Sequence, residues 1–86
     1  MQYALVAFRS RNQTAKMYEI FLANGIFCKI INTPKEANVG CGISIRFDLS
    51  QLEKAKQIVG KYQQQSFIGF FKVTVLSDRY LVKHLC

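Results

Sequence analysis

The sequence predicts an α+β fold, a four-stranded antiparallel sheet with two helices on one face. Three observations predict it. The 86 residues allow one small domain with a single core. Hydrophobic residues make up 50% of the chain, enough to build that core without staples. Four apolar runs of strand-like composition alternate with two stretches whose apolar residues recur at helical spacing.

Residues 2–8 are apolar, end at Arg9 and read as the first strand. Ser10-Arg11-Asn12-Gln13 fits a capping box, with Ser10 as N-cap and Gln13 reaching back. Met17, Phe21 and the pair Tyr18/Leu22 then form an apolar stripe, and Gly25 after Asn24 stops the helix. The first helix is therefore expected over residues 11–24. Residues 26–31 give the second strand, with Cys28 in phase with Ile26 and Ile30 as a small core residue. Residues 32–41 contain Pro34 and Gly40 and read as a loop.

Residues 42–47 alternate cleanly and form the third strand. Ile43, Ile45 and Phe47 point one way, Ser44 and Arg46 the other. Asp48 and Ser50 are candidate N-caps for a second helix, whose apolar face is Leu52, Ala55, Ile58, Val59 and Tyr62. The polar run of residues 63–66 ends it, and residues 67–76 make the fourth strand. The order β-α-β-β-α-β with right-handed crossovers is the ferredoxin-like split βαβ arrangement. The domain is expected over residues 1–76. Residues 77–86 form a C-terminal tail, whose Tyr80, Leu81, Val82 and Leu85 could pack as a short helix.

Composition narrows the function classes. No apolar run is long enough to span a bilayer, and the start lacks the basic segment and cleavage site of a signal peptide, so a cytoplasmic protein is expected. The net charge of +7 favours acidic partners, although the basic residues are scattered singly, as on an ordinary solvated surface. Three cysteines at wide spacing, no Cys-x-x-Cys pair and one histidine, His84, give no metal site, and no cofactor is expected. Five carboxylates and one histidine near the terminus supply no convincing acid–base pair, which argues against a stand-alone hydrolase or transferase.

The residue that stands out is Cys41, between Gly40 and Gly42 at the mouth of the third strand. Glycine on both sides lets backbone approach closely and leaves the sulfur accessible. The topology puts the loop between strands two and three at the same end as the start of the first helix. Arg9, Arg11 and Lys35 belong to that end. Unpaired helix N–H groups and nearby cations favour a thiolate there over a thiol. Cys86 is read as a frayed terminal residue or as a resolving thiol on an extended tail. A structural cysteine at a strand start, with both glycines serving only the turn, is the competing reading of Cys41.

Up to about residue 75 the chain resembles the small bacterial proteins of the selenium/sulfur (Se/S) carrier-like family. The matching features are Phe8-Arg9-Ser10 at the end of the first strand, the Gly25-Ile26 turn, Thr33-Pro34-Lys35-Glu36, and above all Cys41-Gly42-Ile43-Ser44-Ile45-Arg46-Phe47 followed by a helix. The stretch from Ser77 departs from the family's short ending. The resemblance implies that Cys41 carries sulfur or selenium as a persulfide or selenosulfide. The partners would be a cysteine desulfurase or another chalcogen donor, and an acceptor. In that reading Ser10 and Arg11 supply helix-end donors, and Arg46 pairs with a partner carboxylate.

Other classes compete. A sheet covered on one face leaves the other open, with Tyr3 or Phe8, Phe27, Ile31 and Phe70 or Phe71 on it, which would suit a homodimer or a ligand-binding module. The strand order is also that of an RNA-recognition module. However, the aromatic segment falls on the fourth strand rather than the third, so nucleic acid is not the expected partner.

Overall fold

The computed structural model describes residues 1–62 and 65–86. The elements are β1 (Gln2–Phe8), α1 (Arg11–Ala23), β2 (Cys28–Asn32), β3 (Ile43–Phe47), α2 (Leu52–Tyr62), β4 (Phe67–Val75) and β5 (Tyr80–His84). Short 3-10 turns at Lys35–Ala37 and Leu49–Gln51 precede β3 and α2. The fold is α+β, with two helices and one five-stranded antiparallel sheet ordered β2-β3-β1-β4-β5. The expected four-stranded sheet is thus corrected to five strands. Residues 80–84, expected as a tail able to form a short helix, pair with β4 from Phe71↔His84 to Val75↔Tyr80.

Local chemistry explains the helix boundaries. The Ser10 hydroxyl oxygen accepts from the Gln13 amide at 3.2 Å, which satisfies one orphan N–H of the first turn. Gln13 does not close the box on Ser10; its side-chain oxygen accepts from the Ser66 amide and hydroxyl instead. At the other end Ile26 N–H donates to Phe21 O at 2.9 Å and Gly25 N–H to Leu22 O at 3.1 Å, with Gly25 at φ +81°. This is a Schellman cap, and Ile26 and Phe21 both lie in the core. Ile26 therefore belongs to the cap, and β2 starts two residues later than its composition predicts. Before α2, the Asp48 carboxylate accepts from the Ser50 amide at 2.9 Å, so Asp48 caps the entry. Of the polar run at residues 63–66, positions 63 and 64 lie outside the described residues.

The strand β1 is central, buried on both faces from Tyr3 to Phe8. Its Ala4, Val6 and Phe8 face the helices with Ile45, Phe47 and Phe70, and Met17, Phe21, Ala55, Ile58 and Val59 complete that core. Its Tyr3, Leu5 and Ala7 join Phe71 and Val73 on the far face. That face is not open. Ile31, Val39, Ile68, Val75 and Val82 pack around it, and its five central residues are at most 5% exposed. The physical reason is the loop of residues 33–42. It lays Val39 on the far face and extends to β5, where the Glu36 carboxylate accepts from the Tyr80 amide at 3.3 Å. The apolar surface expected for a homodimer is thus covered by the chain itself. Phe8 and Phe70 lie on the helix side, and Phe27, 78% exposed, precedes the sheet altogether. No helix among the described residues is long and apolar enough to cross a membrane.

Candidate functional site

The loop that delivers Cys41 is built from residues that tolerate a left-handed backbone. Asn38, Gly40 and Gly42 have φ of 48°, 82° and 96°. Gly40 also needs its lack of a side chain. A Cβ there would stand 3.2 Å from the Phe8 carbonyl oxygen and 3.8 Å from Ala7 Cβ. The loop therefore rests on the last residues of β1. Gly42 has open space where a Cβ would be, and only its φ calls for glycine. Thr33 N–H donates to Gly42 O at 2.9 Å and closes the loop at its base. A shallow hollow of about 360 Å³ lies over it, walled by Thr33, Lys35, Val39 and both glycines.

This seating brings Cys41 to the first turn of α1, as the topology predicts. The half-buried thiol lies 4.0 Å from Thr14 Oγ1 and 3.8 Å from the Ile43 carbonyl. Ser10 is the cap of that turn. The hydroxyl beside the sulfur, however, is that of Thr14 rather than Ser10. Thr14 is fully buried, and its Oγ1 donates to the Ser10 carbonyl at 2.9 Å. With that proton so engaged, the Thr14 oxygen can accept from the Cys41 S–H. A rotation about the C–O bond would instead aim the proton at a sulfur anion. The site thus has a hydroxyl able to face either protonation state.

The sequence reading missed Thr14. The signal was there: position 14 precedes Met17 and Phe21 by three and seven residues, in phase with the apolar stripe. A polar residue in that phase is either satisfied locally or part of a site.

The remaining expected site residues divide. Arg9 and Arg11 flank the Ser10 cap, and Lys35 sits in the loop; all three side chains are exposed. Arg46 is not brought to Cys41. It lies over the Tyr3 ring at 4.2 Å and donates to Met1 Sδ at 3.8 Å, in register with Leu5 and Lys29. The alternation of β3 puts it on the far face, three residues beyond the strand start.

The other two thiols are differently placed. Cys28 is buried in the helix-side core, and its S–H donates to Tyr18 O at 3.9 Å. Burial pushes the Cys28 thiol up from its ordinary value, and Glu19 adds to the shift. Cys86 is exposed but held. Its carbonyl accepts from the Phe70 amide at 2.7 Å, while Leu85 N–H donates to Phe70 O at 2.7 Å. The expected loose tail is instead an ordered hairpin strand that returns along β4 and pins Cys86 beside Phe70, and all three cysteines are free.

Residues 3–67 match the family model described as "Putative Se/S carrier protein-like". The chain belongs to that family. The match includes Cys41, its loop and the capped start of α1, and stops at the first residue of β4. Comparison with curated proteins and with solved structures gave no match.

Proposed function

We propose that the protein carries a sulfur or selenium atom on Cys41 as a persulfide or selenosulfide, between a cysteine desulfurase or similar donor and an acceptor enzyme. The observation that carries this reading is the seating of an accessible thiol against the first turn of α1, within a chain of the Se/S carrier-like family. A carrier needs one thiolate that can attack a donor's outer chalcogen and later release it. Attack on a donor persulfide R–S–SH forms the Cys41 S–S bond and breaks the donor's. The donor leaves as a thiolate, and no net oxidation occurs.

The surroundings support each stage. The helix N-terminus favours negative charge. Thr14 offers a hydroxyl to the anion. The reading belongs with a reducing compartment, where the thiol stays free between turnovers. No base, metal or cofactor enters the step.

One observation favours a second reading. Gly40 fits tightly against Phe8, and the Cys41 thiol already has two acceptors, as a purely structural cysteine would. Incubation with a cysteine desulfurase and labelled cysteine, followed by mass spectrometry of each cysteine peptide, separates the two. Gain of one sulfur atom on the Cys41 peptide, lost in Cys41→Ser, is expected. Label absent from Cys41, or retained elsewhere in Cys41→Ser, would overturn the carrier assignment.

A further inference from the structure

Charge on this molecule is distributed unevenly about Cys41. β1 runs towards the Cys41 end and α1 away from it, while α2 returns towards it. Arg9, Arg11, Lys35 and, in the last turn of α2, Lys61 therefore belong to that end, and all four are exposed. The five carboxylates of the chain are placed otherwise. Asp48 and Glu53 lie at the start of α2, Asp78 in the β4–β5 turn and Glu19 in the second half of α1. Glu36 leaves with the loop and is engaged by the Tyr80 amide at 3.3 Å. The one ion pair among the described residues, Lys56–Glu53 at 3.3 Å, is at the opposite end of α2. Arg9, Arg11 and Lys61 at this end thus face solvent with no acidic side chain among them, and Lys35 is followed by Glu36, whose carboxylate is turned to the Tyr80 amide.

We infer that this rim docks a donor protein whose reactive sulfur is surrounded by carboxylates. The inference rests on the carrier reading above. A half-buried thiol can meet a protein-bound sulfur only if the partner's surface comes down over the rim, so the rim cations become contact residues. Unpaired charges of one sign speed encounter with a surface of the other sign and exclude like-charged partners. The sulfur step is the exchange already given, and the rim changes only how often and in what orientation it begins.

The test uses the full chain with Cys86→Ser, so that Cys41 is the accessible thiol. The probes are synthetic cysteine peptides activated as 2-pyridyl disulfides, with flanking residues that are all glutamate, all glutamine or all lysine. Cys41 attacks the peptide sulfur, pyridine-2-thione leaves, and its absorbance reports the rate. The glutamate peptide is expected to react about tenfold faster than the glutamine peptide at low salt, and the lysine peptide more slowly than either. The preference should vanish near 1 M salt, where the Debye length is about 3 Å. Arg11→Glu with Lys35→Glu should reduce it to twofold or less. Lys54→Glu, in the first turn of α2 and beside Gly25 at the far end of α1, makes a single reversal at the opposite end and should leave it intact.

A glutamate preference lost equally in Lys54→Glu would overturn the local rim in favour of net charge. Equal rates for all three peptides would overturn the acidic partner while leaving Cys41 a competent acceptor. A preference for a small sulfonate-bearing thiosulfonate without one for the glutamate peptide would overturn the protein donor in favour of a small anion. Failure of Cys41 towards even the glutamine peptide would instead count against the carrier reading itself.

Discussion

Cys28 and Cys41 are the same residue at the two mouths of neighbouring strands, and the fold treats them oppositely. Cys28 opens β2, and its buried sulfur belongs to the helix-side core with Phe21 and Phe47 and donates to the Tyr18 carbonyl of α1. Cys41 precedes β3 at the other end, beside the start of that helix and on a loop that only glycine permits. Burial makes the first thiol a small apolar filler whose charged form is disfavoured. The second keeps a path to solvent and a hydroxyl at its side. Placement relative to the helix ends and the core, rather than the residue type, separates the buried filler from the reachable thiol.

The contrast can be broken in four ways. The largest effect is on reactivity. In the folded protein, iodoacetamide should label Cys41 at least ~100-fold faster than Cys28, and the ratio should approach one in denaturant. Peptide-resolved mass spectrometry measures both rates. Comparable native rates would remove the distinction between the two thiols.

Next is the loop. Gly40→Ala combines a left-handed φ with a 3.2 Å approach to the Phe8 carbonyl, and should cost about 2 kcal/mol. Gly42→Ala meets only the φ penalty, about 1 kcal/mol. Chemical denaturation should rank them in that order, and equal losses would show that the loop does not rest on β1.

Thr14→Val keeps shape but removes the hydroxyl. It should slow Cys41 alkylation roughly 3- to 10-fold at constant pH and leave Cys28 unchanged, with Thr14→Ser restoring the rate. A lower melting temperature with no change in rate would assign Thr14 to packing alone.

The smallest effect is linkage at Cys28. Its folded-state thiol is raised above the unfolded value of 9.0, so the folded chain holds the proton longer. The stability this represents is fully present below that value and is lost as pH rises through the higher folded one. Cys28→Ala should flatten the decline in denaturation midpoint between neutral and strongly alkaline pH. An unchanged slope would mean that other groups carry it.

Much of this arrangement was legible in the chain. Ser10 with Arg11-Asn12-Gln13 marked the start of α1 because capping is a local exchange of hydrogen bonds. The alternation in residues 43–47 marked the faces of β3 for the same local reason. Cys41 could be placed beside α1 because strand directions follow from element order. What escaped depends on contacts between distant segments. Tyr80–His84 is a largely exposed edge strand whose order comes from its pairing with β4 rather than from an apolar pattern of its own. The covering of the far face needs Val39 and Glu36 to reach across it, and nothing in residues 33–42 names their targets. Arg46 was grouped with Cys41 by nearness in sequence, whereas the strand carried it to Tyr3.

The order of the strands has a consequence for where this protein can be cut. Residues 3–67 bear the family signature and every group next to Cys41, yet β4 enters the sheet at residue 67 and sits between β1 and β5. A fragment ending there would strip one side of β1, the most apolar strand, and leave a long hydrophobic edge ready to recruit other chains. The segment that matches the family is therefore shorter than the segment that completes the sheet around β1. The last nineteen positions supply most of β4 and all of β5, which fill that side of β1.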